Sequence, residues 1–317
     1  MKLNVNRVAR TALRAGLLAS AALLASCGGG QQAQSFSASR VIALGDEFSV
    51  INADGSKYTV NALAAGSTAV LDCSSNPIWV QTLAANFGLV FPQCPGSIAD
   101  PVSRIYAANG ATVADIAGQI DQQLASGGFT STDLVTVLVG ANDIVAQFGQ
   151  YPAVGEEQLR ANLAASGAAL AAQVNRIAGY GAKVVIVTVP DMGLTPFAGD
   201  RSAGSTDGNP ALLTRLSTGF NDALLAKLLN DGHQIGLVQL DEYLKAIDTS
   251  VRNGNTSSFS NTTLVACSVA LPGCTTNTLV ADAVNASWLW ADGRHLGATG
   301  QASLGSLAAT RARNNPF

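Results

Sequence analysis

The chain alternates between short apolar runs that end in glycine turns and longer stretches whose apolar residues recur every third or fourth position. The first run lies in RVIALGDEFSV, from Arg40 to Val50. It stops at Gly45 and Asp46 and then turns polar, with Glu47 at the tip. An apolar run closed by a glycine and an acid reads as a buried strand opening into a tight turn. Leu134 to Val139 is the clearest buried strand, mostly β-branched and aliphatic, and ends in Gly140-Ala141-Asn142-Asp143. Arg104 to Ala108 runs into Asn109-Gly110-Ala111-Thr112 in the same way, and Lys183 to Val189 and Ile235 to Leu240 read as two further strands. Between them lie helical patterns: Trp79, Leu83 and Phe87; Val113, Ile116, Ile120 and Leu124; Leu159, Leu163, Leu170, Val174 and Ile177; Leu212 to Leu228; and a last one carrying Leu304 and Leu307. Strands alternating with helices of this length predict an α/β fold, a parallel sheet of about five strands covered on both faces.

The remaining stretches read as loops. Tyr58 to Pro77 has no sustained period, Phe197 to Asn209 is rich in Gly, Ser and Asp, and Asn253 to Ala286 reads as a decorated loop and not a second domain. No internal repeat is visible. With 317 residues, of which 48% are hydrophobic and 12% charged, the chain holds one large core.

The N-terminus changes the picture. Lys2, Arg7, Arg10 and Arg14 precede an apolar run from Ala15 to Ala25 that is too short to span a bilayer, the pattern of an export signal. The junction Leu24-Ala25-Ser26-Cys27 resembles a bacterial lipoprotein signal. It gives three expected segments: a signal peptide over 1–26, a flexible tether over 27–39 acylated at Cys27, and a single domain over 40–317. Loss of the signal removes four basic groups and no acids, so the mature charge is 14 − 21 = −7. A chain this acidic lacks the basic footprint of a nucleic-acid binder.

Four cysteines remain, Cys73, Cys94, Cys267 and Cys274, and an oxidising compartment favours disulfides. Proximity selects Cys73–Cys94 and Cys267–Cys274 among the three pairings. With only His233 and His295 and no CxxC spacing, the chain offers no metal site, and no cofactor is implied.

In a parallel sheet the carboxyl ends of the strands share one edge, so the polar turns can converge. Asp292-Gly293-Arg294-His295 adds an acid and a histidine three positions apart. Taken in order, Gly45-Asp46-Glu47-Phe48, Gly110, Gly140-Ala141-Asn142-Asp143 and Asp292-Gly293-Arg294-His295 resemble the blocks of the GDSL or SGNH ester hydrolases. Val189 to Pro196 and Phe220-Asn221 also look like family features, and the resemblance spans about Arg40 to Thr310. It implies a three-layer α/β/α flavodoxin-like fold and hydrolysis of acyl or acetyl esters. It also implies that His295 is the base, Asp292 its orienter, and Gly110, Asn142 and the Glu47 backbone N–H the oxyanion donors. Gly45, Asp46, Gly140 and Asp143 would support the turns.

One position departs from the pattern. The nucleophilic serine of the family is replaced by Glu47; Ser49 lies two residues on, at a different place on the turn. A carboxylate there can act as a nucleophile or activate water, or it can pair with His295 and silence the base. The chain is therefore expected to be a monomeric, envelope-anchored ester hydrolase with an unusual glutamate. The alternative is a non-catalytic lipoprotein that binds an acyl, acetylated or glycan ligand in the same cleft. Gly28 after Cys27 points to the outer membrane by analogy with lipoprotein sorting.

Overall fold

The computed structural model describes residues 36–199, 209–229, 232–255 and 257–314. The expected signal peptide, Cys27 and the tether up to residue 35 lie outside the described residues, as does most of the loop from Phe197 to Asn209. The described residues form one compact unit.

Five parallel strands make the central sheet: β1 (Arg40–Gly45), β2 (Arg104–Ile105), β3 (Asp133–Leu138), β4 (Lys183–Val187) and β5 (Ile235–Val238), in the order β2-β1-β3-β4-β5. This is the doubly wound order of flavodoxin-like proteins. Every residue of β3 is buried, as are the last five of β1 and the last four of β4. Burial of successive residues, which point to opposite faces, means that both faces of the sheet are covered. The aliphatic side chains of Val41, Ile42, Leu44, Leu134, Val137, Val184 and Ile186 form the middle of the core. Each contributes about 1.5–3 kcal/mol by leaving water.

The helices are α1 (Trp79–Ala85), α2 (Ile116–Ala125), α3 (Ala141–Phe148), α4 (Glu156–Gly179), α5 (Pro210–Lys227), α6 (Leu240–Arg252) and α7 (Ala298–Asn314). Two of them correct the sequence reading. The segment after Gly140 is not only a turn, because α3 begins at once with Ala141. The fifth strand stops at Val238, and α6 follows from Leu240 with Leu244 and Ile247 on its buried side. The region from Asn253 to Ala286 also contains a strand, β6 (Asn261–Val265), which pairs in parallel with β7 (Trp288–Trp290). All three residues of β7 are buried.

Both expected disulfides form, Cys73–Cys94 and Cys267–Cys274. Cys73 lies in the irregular stretch after β1, which is organised by a buried cation: the Lys57 ammonium donates to the carbonyls of Cys73, Ser75 and Asn76 at 2.8, 2.9 and 2.9 Å. Burial pulls the Lys57 pKa down to about 8, with the charge of Asp72 offsetting part of the cost. The same stretch brings Tyr58 against His295, with ring centroids 5.7 Å apart. Residues with no regular secondary structure thus wall one side of the site.

Candidate active site

The site begins where β1 leaves the sheet. Gly45 has φ +130°, and a Cβ there would lie 2.0 Å from the Leu138 carbonyl oxygen on the neighbouring strand, so only glycine fits this exit. Gln119 from α2 clamps the same residue. Its side-chain oxygen accepts from Gly45 N at 2.7 Å and its amide donates to Gly45 O at 2.9 Å. Asp46 then caps a single turn of 3₁₀ helix, Glu47–Ser49, by accepting from Phe48 N. Asp46 is fully buried, and its second oxygen has no partner among the described residues. Burial, reinforced by the charge of Glu47, raises its pKa well above its ordinary value. Asp46 shapes the turn through its bond from Phe48 N.

Glu47 is 3% exposed, and each of its oxygens has separate partners. Oε2 accepts from Gly110 N and from the Asn142 side-chain amide, both at 2.9 Å. Oε1 lies 3.3 Å from His295 Nε2 and 4.0 Å from Arg294 Nη2. The Glu47 backbone N–H also stabilises its own carboxylate. Two of the donors expected to hold an oxyanion, Gly110 N and the Asn142 amide, are thus directed at this one side chain.

Sheet pairing brings the donors in. Beyond β2 the chain continues beside β1, with Tyr106 N and Ala107 N donating to Ala43 O and Ala108 N to Gly45 O, which carries Gly110 to the tip of the turn. Gly110 sits at φ +74°, a conformation that glycine adopts without penalty and that faces its N–H to Glu47. Asn142 stands in the first turn of α3, after Gly140, and Asp143 beside it accepts from Val113 N at 3.1 Å, tying the second turn to the third.

His295 and Asp292 arrive on the segment after β7. Asp292 Oδ1 accepts from the backbone N–H groups of Arg294 and His295 at 2.8 and 2.7 Å, which folds the four residues into a loop. His295 Nδ1 lies 2.9 Å from both Asp292 oxygens and donates to them, which turns Nε2 toward Glu47. The imidazole packs against Phe48, with centroids 5.1 Å apart, and is 4% exposed.

The electrostatics follow from these contacts. Burial alone would raise the Glu47 pKa, but hydrogen bonds from His295, its own N–H, Asn142 and Gly110 outweigh it and bring the value to about 2. Burial alone would lower His295, but hydrogen bonds and charge from Asp292 and Glu47 raise it to about 9. Asp292 is held below its ordinary value: burial opposes ionisation, but its bonds to His295 prevail. At neutral pH the arrangement is carboxylate, imidazolium, carboxylate.

Two contributors were not singled out by the sequence. Arg294, inside the Asp-x-x-His block, donates from Nη1 to Asn142 Oδ1 at 3.1 Å and so fixes which end of that amide faces Glu47. Gln119 showed no signal beyond its place in an amphipathic helix. Ser49 is fully buried and accepts from the Trp79 indole at 3.2 Å. Asn221 braces the exit of β4, accepting from Val189 N and donating to Val189 O and to Asp241. A cavity of about 460 Å³ adjoins Gly110, lined by Tyr106, Asn109, Ala111 and Gln119 among others.

No curated protein matches this chain. Solved structures similar to it include phospholipase A1 from Streptomyces albidoflavus, at 20% identity over 87% of this chain and 100% of that one, with a TM-score of 0.44. The lipase Lip_vut3 from a goat rumen metagenome is similar at 12% identity over 88% and 99%, with a TM-score of 0.49. The acetylxylan esterase Axe2 from Geobacillus stearothermophilus is similar at 12% over 89% and 96%, with a TM-score of 0.44. Residues 44–307 match the profile of the GDSL-like lipase/acylhydrolase family, a span that contains Gly45, Glu47, Gly110, Asn142, Asp292 and His295. The chain belongs to the GDSL-like lipase/acylhydrolase family, whose members are hydrolases that act on ester bonds.

Proposed function

We propose that this chain is an envelope-anchored ester hydrolase in which Glu47 works at the position of the family's serine. The observation that carries the reading is the convergence of Gly110 N, the Asn142 amide and the His295–Asp292 pair on the Glu47 carboxylate. Separate segments supply these groups, and each is oriented by further hydrogen bonds. Glu47 takes the nucleophile's role, His295 transfers protons, Asp292 orients it, and Gly110, Asn142 and the Glu47 N–H stabilise negative charge on oxygen. The substrate is an acylated small molecule, lipid or glycan.

The same reading takes residues 1–26 as a signal peptide, Cys27 as a lipidated terminus on a tether to residue 39, and 40–317 as a monomeric domain at the outer membrane. Among the described residues no helix is long and apolar enough to cross a membrane, so the lipid on Cys27 is the proposed anchor. Replacing Cys27 by alanine should release the protein from the membrane fraction, and retention there would overturn the anchor.

A second reading is favoured by one specific contact. Glu47 Oε2 already occupies the two donors that a substrate carbonyl would need, which suits a protein that binds acyl or glycan ligands without turnover. Turnover of short and medium p-nitrophenyl esters by the purified full chain and by Glu47→Ser separates the two. An active wild type supports the hydrolase. An inert wild type beside an active Glu47→Ser variant supports the binder.

A further inference from the structure

A serine hydrolase keeps its oxyanion donors empty so that they can receive the carbonyl oxygen of the substrate. Here Gly110 N and the Asn142 amide hold an oxygen that is already bonded to Glu47 Cδ. The carbon at which this site stabilises tetrahedral charge is therefore Cδ of Glu47 itself. Cδ becomes electrophilic only when Glu47 has been converted to an ester. Oε1, turned away from those donors and facing His295 Nε2 at 3.3 Å, is the oxygen left to make that bond.

We propose that Glu47 Oε1 attacks a saturated carbon of the substrate, forming a glutamyl ester that His295 and water then open. The inference rests on Glu47 being the nucleophile of the hydrolase reading and takes the substrate beyond acylated molecules: alkyl esters of strong acids, alkyl halides and epoxides share an electrophilic saturated carbon. Attack by Oε1 on an acyl carbon would leave the substrate's carbonyl oxygen outside the donors. Displacement at a saturated carbon creates no oxyanion on that carbon and needs none.

The steps balance. An electron pair of Oε1 forms the O–C bond, and the bond from carbon to the leaving group breaks with its pair on the leaving atom. Arg294, partly exposed and 4.0 Å from Oε1, is the cation beside the departing anion. Glu47 is now a neutral ester. The loss of its charge removes one of the influences that hold the proton on His295, which releases it to solvent. Neutral His295 then takes a proton from water as the water oxygen bonds to Cδ, and the carbonyl pair moves onto Oε2, between Gly110 N and the Asn142 amide. Collapse breaks the Cδ–Oε1 bond, the alcohol leaves with the proton from His295, and Glu47 returns as an acid that ionises. The sum is R–X plus water giving R–OH and HX; with an epoxide the leaving oxygen stays on the carbon skeleton and takes the proton that His295 gives up, so that epoxide plus water gives a diol.

The test uses the full chain with hexyl methanesulfonate, bromohexane and styrene oxide. In His295→Asn the second step is blocked, and peptide mass spectrometry should find one alkyl group per chain on Glu47. Wild-type protein in excess over substrate, in heavy-oxygen water, should yield alcohol with ordinary oxygen and place the heavy oxygen in Glu47. This arm needs no variant to fold. Heavy oxygen in the first alcohol formed, with none in Glu47, would overturn the proposal in favour of direct attack by water. Absence of both adduct and turnover with all three probes would also overturn it. If p-nitrophenyl esters are still hydrolysed in that case, the hydrolase reading survives; if they are not, both fall.

Discussion

Glu47 Oε1 lies 3.3 Å from His295 Nε2, and the opposite ring nitrogen lies 2.9 Å from both oxygens of Asp292, so one buried imidazolium bridges two carboxylates. The bridge ties the turn after β1 to the loop before α7, segments 248 residues apart. Its pH dependence follows from the two shifts. Glu47 is depressed to about 2 from 4.5, so its stabilisation is present above 4.5 and is lost as pH falls toward 2. His295 is raised to about 9 from 6.5, so its stabilisation is complete below 6.5 and is lost as pH rises through 9. The Tm difference between wild type and Glu47→Gln should peak between pH 4.5 and 6.5 and shrink on both sides. At the peak it should correspond to on the order of a few kcal/mol. A difference that does not vary with pH would contradict the ion pair.

The titration of His295 itself is a separate check. Imidazole resonances should titrate near pH 9 in the wild type and at lower pH in Glu47→Gln, where only Asp292 still supports the proton. An unchanged midpoint would mean that Glu47 does not share the charge.

Arg294 acts through Asn142. Its bond to Asn142 Oδ1 keeps the amide nitrogen toward Glu47. Arg294→Met should lower kcat/KM about tenfold, the value of one hydrogen bond to a charged group, with little change in fold. Arg294→Lys should recover only part of it, because an ammonium cannot reproduce the planar fork. Full activity in both variants would remove Arg294 from the site.

Gly45 and Gly66 make a controlled pair. Both have positive φ, but a Cβ at Gly66 meets nothing within 4 Å, whereas one at Gly45 strikes the Leu138 carbonyl. Gly66→Ala should cost about 1–2 kcal/mol in urea unfolding, and Gly45→Ala about 3 kcal/mol or more, since β1 and β3 must separate. Equal costs would show that the exit of β1 can relax.

These contrasts mark what the sequence made legible. β1 and β3 are near-continuous aliphatic runs because both faces of the sheet are covered, and such runs need no tertiary context to be read. Helices α3 and α6 were missed for a local reason: each starts within three residues of the end of a strand, so Gly140-Ala141-Asn142-Asp143 looked like a turn and Leu240 like the end of a strand. β6 was hidden because its partner, β7, lies more than twenty residues later in a loop-like composition. At the site, the four blocks were visible as residue types in order. The division of labour between the two Glu47 oxygens was not, because it depends on side-chain torsions and on Arg294 reaching across to Asn142.

The most direct measurement is kcat/KM of wild type and Glu47→Gln on p-nitrophenyl esters and on hexyl methanesulfonate. Glutamine keeps the size of the side chain and an oxygen for the Gly110 and Asn142 donors but removes the charge and the attacking oxygen. A working Glu47 predicts a loss of about 10²-fold or more on whichever substrate the wild type turns over. A Glu47→Gln variant as active as the wild type would contradict the account.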